Sequence, residues 1–117
     1  MDYRDNFKKG SIEMLALTIL SEQDCYGYEL CQLMRERSNG IIAVPEGSLY
    51  PALYRLVDKN YISSYEKLVG KRRKRTYYHM EPSAQVYLND LVQAYYEISK
   101  GVTSVLNWEV NEHEQNL

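Results

Sequence analysis

The chain has 117 residues, 44% hydrophobic and 26% charged, with a formal net charge of −2. That length holds one ordinary domain, or a smaller one with an extension, and the composition is globular rather than disordered. Apolar runs such as Ile41 to Val44 are far too short to span a bilayer, and Met1-Asp2-Tyr3-Arg4-Asp5 opens no signal peptide, so a cytoplasmic protein is expected.

Residues 1–10 are polar and mixed in charge, and read as a loose lead-in with one hydrophobic anchor, Phe7. From Ser11, an expected N-cap, the apolar residues Ile12, Leu15, Ala16, Ile19 and Leu20 recur at helical spacing and stop at Ser21-Glu22-Gln23-Asp24. Asp24 is expected to cap a second helix with Leu30, Leu33 and Met34 inward and Arg35, Glu36 and Arg37 in water, ending at Ser38-Asn39-Gly40. Gly27 at its start suggests the close approach of another backbone. Cys25 and Cys31 belong to no C-x-x-C or Cys/His cluster and His79 and His113 stand alone, so the thiols read as small apolar packing groups and no metal or other cofactor is expected. Ile41 to Val44 is β-branched and brief, an extended segment closed by Pro45.

The stretch Glu46-Gly47-Ser48-Leu49-Tyr50-Pro51-Ala52-Leu53-Tyr54-Arg55-Leu56-Val57 is the one the chain is organised around. At about 100° per residue, Leu49, Ala52, Leu53, Leu56 and Val57 fall on one side of a helix. The other side collects Gly47, Ser48, Pro51, Tyr54, Arg55 and Asp58, small and polar groups able to lie close against a partner. Pro51 would cost ~3 kcal/mol deep in a helix, so the helix should begin at Glu46 to Ser48 with the proline in or near its first turn. Such a start offers N–H groups and a positive dipole end to an anion.

After Asn60 the period changes to two. Tyr61 to Glu66 and Thr76 to Met80 read as strands, joined by Lys67 to Arg75 as a long basic tip. Three helices followed by a hairpin outline a winged helix-turn-helix over residues 1–80. The fold expected is mainly α with a small β-hairpin, extended over residues 81–117 by a long C-terminal dimerisation helix and polar tail.

That last segment carries the cleanest pattern. Pro82 suits a first helical position, and Ala84, Leu88, Leu91, Tyr95, Ile98, Val102 and Val105 alternate steps of four and three. Left bare, such a stripe would cost ~10 kcal/mol gross at ~1.5–3 kcal/mol per large side chain. A second copy of the chain is the expected cover, giving a C2 homodimer; folding back onto its own domain is the other reading, and both can hold in part because Tyr87, Val92 and Tyr96 widen the stripe. Gly101 marks a bend or tight crossing.

Charge divides at the same place. Residues 1–80 hold 13 Lys and Arg against 10 Asp and Glu, and residues 81–117 hold 1 against 6. The cluster Lys71-Arg72-Arg73-Lys74-Arg75 contributes nothing to folding in this reading, and its natural partner is phosphate. With the helix at 46–60 in a major groove, these cations would grip the backbone or minor groove, Arg55 would read a guanine edge, and Ser48, Tyr50 or Tyr54 would touch phosphate or a base. Tyr26 and Tyr28 offer further hydroxyls, with core packing an equal reading for Tyr28. Twelve tyrosines against one phenylalanine suit half-wet contact surfaces. No pairing of carboxylates, Ser/His/Asp set or P-loop supports catalysis. The rival reading is a winged-helix module that docks an acidic protein without specific DNA binding.

Gly10-Ser11 opening a hydrophobic helix, Tyr26-Gly27-Tyr28-Glu29-Leu30, then Glu46-Gly47-Ser48-Leu49-Tyr50-Pro51-Ala52-Leu53 and a basic wing running into Tyr77-Tyr78 together resemble the PadR family of bacterial transcriptional regulators. The resemblance covers residues 10–80. It implies a winged-helix dimer on a roughly palindromic operator, usually a repressor, released by a small molecule or stress signal. It also implies DNA contacts at Tyr26, Ser48, Tyr50, Pro51 and Lys71 to Arg75. Where the family tends to have a Leu-Thr-x-x-Gly turn, this chain has Met80-Glu81-Pro82-Ser83-Ala84, which leaves the local cap open. The single final helix is similar to the shorter branch of the family, some of whose members bind flat aromatic drugs between subunits. Tyr95 and Tyr96, with Trp108 further along, lie near such a pocket, although plain interface packing is the favoured reading of these rings.

Overall fold

The computed structural model describes residues 2–110. His113 and the rest of 111–117, the end of the expected tail, lie outside the described residues. A short helix α1 (Asp5–Lys8) and a 3-10 turn (Lys9–Ser11) lead into α2 (Ile12–Leu20). Strand β1 (Cys25–Tyr26), α3 (Gly27–Arg37), α4 (Glu46–Asp58), β2 (Ile62–Val69), β3 (Arg73–Met80) and α5 (Ala84–Leu106) follow. The strands make one antiparallel sheet in the order β1-β3-β2. The architecture is mainly helical with a small β wing.

The lead-in is helical, and a cation rather than a ring ties it down. Phe7 is 80% exposed, whereas the Lys8 ammonium donates to the Ala43 carbonyl at 2.6 Å. Ser11 is not a side-chain cap, because the 3-10 turn runs straight into α2 and leaves its backbone helical. Asp24 caps nothing either: its carboxylate accepts from the Tyr65 hydroxyl and meets His79 Nδ1, both at 2.7 Å, and α3 starts from an extended Tyr26.

Helices α3 and α4 end alike. Gly40 N–H donates to the Arg35 carbonyl and Tyr61 N–H to that of Leu56, and Asn39 and Asn60 supply the left-handed residue at φ 54° and 62°. Ile41 to Val44 forms no strand; Val44 simply turns into the core, and the edge of β3 is taken by β1, with Cys25 opposite Tyr78 and Tyr26 opposite Tyr77. A strand of two residues, as β1 is, leaves no periodic trace in the sequence.

The hairpin is longer and its turn tighter than the sequence suggests. Pairing continues through Lys67 opposite Arg75 to Val69 opposite Arg73, so Gly70, Lys71 and Arg72 alone make the turn, with Gly70 at φ 72°. Alternation puts Ile62 and Tyr78 on the core face and Tyr65, Lys67, Arg75 and Tyr77 on the outer one.

One core joins all of this: Ala16 and Leu17 from α2, Leu30 and Met34 from α3, Leu49, Ala52, Leu53 and Leu56 from α4, and Ile62 and Tyr78 from the sheet. Cys25 and Cys31 are buried free thiols within it, and burial pushes the Cys25 thiol up to about 11. The core runs past the expected division at residue 80, because Ala84 and Leu88 belong to it. Leu88, expected on the dimer seam, therefore faces its own domain. Pro82 sits in the turn before α5 rather than at its first position, and Ser83 Oγ donates to the Asn60 carbonyl. Beyond Val92 the helix leaves the body, and the molecule is 71 Å long and 33 Å wide.

Candidate nucleic-acid interface

Helix α4 starts at Glu46 behind an extended Pro45, and no side chain caps its first turn. The positive end of the helix dipole is thus open to an anion. With the helix starting at Glu46, Pro51 lies just past the first turn; the bond it cannot make is to the Gly47 carbonyl, at an exposed position where water can substitute. Leu49, Ala52, Leu53 and Leu56 are wholly buried, so Ser48, Pro51, Tyr54 and Arg55 face outward.

One turn further on, at Tyr50 and Tyr54, lies a groove of ≈ 580 Å³, which Ser48 and Pro51 do not line. Tyr26, Gly27 and Tyr28 wall one side, Tyr50 and Tyr54 another, and Arg73, Lys74, Arg75 and Thr76 a third. Of the two readings of Tyr28, core packing fails: its side chain is exposed on the groove. Gly27 is needed for a side chain, not a backbone: a Cβ there would stand 2.5 Å from the Tyr50 hydroxyl and 2.8 Å from its ring. Tyr50 in turn lies 6.1 Å from Tyr54 between ring centroids. Burial raises the Tyr50 phenol, so it meets a partner as a neutral donor.

The wing cations are not idle charge on a loop. Arg73, Lys74 and Arg75 sit on β3 and only Lys71 and Arg72 at the turn. The Arg75 guanidinium stands 4.4 Å over the Tyr26 ring, and the Lys67 ammonium 5.2 Å over that of Tyr77. Tyr77 contacts Tyr26 edge-on at 5.5 Å and stacks on Tyr65 at 5.8 Å, so the rings form a continuous outer row that braces both cations. The Lys74–Glu66 pair, 3.9 Å apart and exposed, adds little. A strand that stops at Glu66 leaves Lys67 in the tip; carrying its alternation on places Lys67 beside Tyr65 and opposite Arg75.

Arg55 is not gathered into the groove. Its Nε donates to Glu13 Oε1 at 3.2 Å, which holds the guanidinium back against α2. At the end of that row of rings, away from the hairpin turn, Asp24 ties the approach to β1 to Tyr65 and His79. The bond and charge of Asp24 raise the His79 pKa; burial works to raise Asp24, but its bonds from Tyr65 and His79 outweigh this and lower it.

At the other end of the molecule, Tyr95, Ile98, Val102 and Val105 are exposed along α5, and Leu91 is half-buried. Tyr95 and Tyr96 meet edge-on at 5.5 Å, and Trp108 lies just past the helix end. Ile98, Gly101, Val102, Val105 and Leu106 border a shallow apolar groove of ≈ 450 Å³, which these three rings do not line. Among the described residues no helix is long and apolar enough to cross a membrane.

The pattern of the Transcriptional regulator PadR-like family matches residues 16–90. An uncharacterised protein of Lysinibacillus sphaericus is 31% identical over 97 residues, 83% of this chain and 89% of that one. Two crystal structures are similar throughout. A PadR family transcription regulator of Clostridium difficile is 34% identical, with a TM-score of 0.69 over 83% of this chain and 99% of that one. A PadR-like transcriptional regulator of Bacillus cereus is 32% identical, with a TM-score of 0.73 over 89% and 99%. Family pattern, fold and the open helix start beside a cationic wing agree: this chain belongs to the PadR-like family of DNA-binding transcriptional regulators and is not an enzyme.

Proposed function

We propose that the chain is a homodimeric repressor in the cytoplasm that reads a near-palindromic operator. The observation that carries this is the groove, where Tyr50 and Tyr54 of α4 stand with Tyr26, Tyr28 and the cations of β3, one turn on from a helix start that no side chain caps. In this reading Ser48, Tyr50, Pro51 and Tyr54 enter the major groove, Tyr26 and Lys71 to Arg75 hold the backbone, and Arg55 reads a base with its Nη groups while its Nε stays on Glu13. Residues 1–80 are the reading unit and 81–117 the clasp. The mate is a second copy, closed over Leu91, Tyr95, Ile98, Val102 and Val105, which the bare outer half of α5 supports. Twofold symmetry then sets the two α4 starts about one duplex turn, ~34 Å, apart. A small aromatic effector held near Tyr95, Tyr96 and Trp108 between the copies would release the DNA.

The test is anisotropy on a duplex chosen by selecting bound fragments of the source genome. With about eight phosphates neutralised per dimer, the log–log salt slope should lie near −7, at about 0.9 per phosphate. Salt-independent binding, or a monomer in sedimentation at micromolar concentration, would defeat the proposal and favour the docking module.

A further inference from the structure

A single carboxylate ties the helix that reads to the helix that clasps. Glu13, at the start of α2, has a side chain only 17% exposed. Its Oε1 accepts from Arg55 Nε of α4 at 3.2 Å, and its Oε2 from the Tyr87 hydroxyl of α5 at 2.7 Å. The Tyr87 ring stacks on Tyr61 at 4.5 Å and 11°, which leaves the phenol little freedom to swing. Burial, then the bond to Glu13, pushes that phenol up to about 12, so it stays a donor.

The leucines of the core hold α4 and α5 against the body, but apolar packing is non-directional and judges small rotations poorly. Hydrogen bonds are directional. Helix α5 has 23 residues. At ~1.5 Å per residue it is a lever of about 34 Å, so a tilt of about 5° at its base moves the far end by ~3 Å, close to the ~3.4 Å rise of one base pair.

We propose that Glu13 is a positioning residue that sets the separation of the two α4 starts, and so the half-site spacing that the dimer accepts. This rests on the dimeric operator reading above. The expected device is unitary: Arg55, Glu13 and Tyr87 fix one angle, and losing either arm loosens it.

The experiment takes the genomic duplex selected by the parent chain, together with copies carrying one base pair added or removed at its centre. The readout is the ratio of affinities between native and altered spacing. Glu13→Gln and Tyr87→Phe, the second of which keeps the ring stacked on Tyr61, should each lower that ratio about tenfold. The double variant should be no worse than either single one, because the three groups act together. The salt slope should not change. Equal losses at every spacing would mean a merely structural role and would overturn the inference, as would an unchanged ratio in both variants. A parent that holds no duplex at all would instead sink the operator reading on which this one stands.

Discussion

Helices α4 and α5 carry the same kind of apolar stripe, and only α4's is fully covered. In α4 the inward residues Leu49, Leu53 and Leu56 are completely buried by α2, α3 and the sheet. In α5 the stripe is covered through Leu88 and partly at Val92, and then Ile98 and Val105 stand 68% and 76% exposed. The lesson is that a stripe records the need for cover but not its source. Helix α4 is wrapped by α2, α3 and the sheet, whereas α5 runs on past the body it starts against.

The comparison breaks most visibly in the covered helix. Leu53→Ala should remove ~2–5 kcal/mol of stability, read as a drop in urea midpoint that does not depend on protein concentration. In α5 the same logic predicts the reverse. Ile98→Glu should leave the winged-helix core folded by circular dichroism while weakening self-association about 100-fold, ~3 kcal/mol, in sedimentation, because a paired copy would bury two unpartnered charges. Full dimerisation by that variant would place the cover elsewhere.

The wing is the second open surface, and its effect is expected to be smaller per residue. Replacing Arg72, Arg73 and Lys74 with alanine should weaken every duplex alike and flatten the salt slope by up to about 5 for a dimer, at about 0.9 per lost phosphate contact. Loss confined to one sequence would give these residues a base-reading role instead.

The smallest effect belongs to a closed contact, Asp24 with His79. Since Asp24 raises the His79 pKa, the pair's contribution is fully present below the ordinary imidazole value near 6.5 and is lost as the pH rises through the raised one. Asp24 is held low, so on the acid side the contribution persists until the carboxylate itself protonates. Urea midpoints should therefore fall in the parent as the pH rises from the ordinary imidazole value through the raised one. His79→Gln should lack that slope, and an identical slope in both would assign it to another group.

Much of this was legible in the chain. The period of Leu49, Leu53 and Leu56 gives the buried side of α4, and Ser38-Asn39-Gly40 and Asn60 give two helix ends, because asparagine and glycine tolerate the left-handed turn that closes them. The cluster Lys71 to Arg75 and the tyrosines around Gly27 stood out as a candidate site. Their arrangement did not. The strands run into the charged residues because cross-strand pairing and rings beneath Arg75 and Lys67 hold those cations, and neither contact is local in sequence. Arg55 looked free on a helix wheel, since its partner Glu13 lies 42 residues away. Phe7, the single phenylalanine, invited an anchoring role that a lysine holds instead.

Sequence by itself determined which residues avoid water, where helices stop, and which end of the chain carries positive charge, since each of these depends on neighbours within a turn or two. Only the tertiary structure decided which outward residues share one groove, which cation is held back by a carboxylate, and how far α5 travels before its stripe is bare. Those are matters of distance between segments remote in the chain, and a helical or strand period says which way a side chain points, not what stands opposite it.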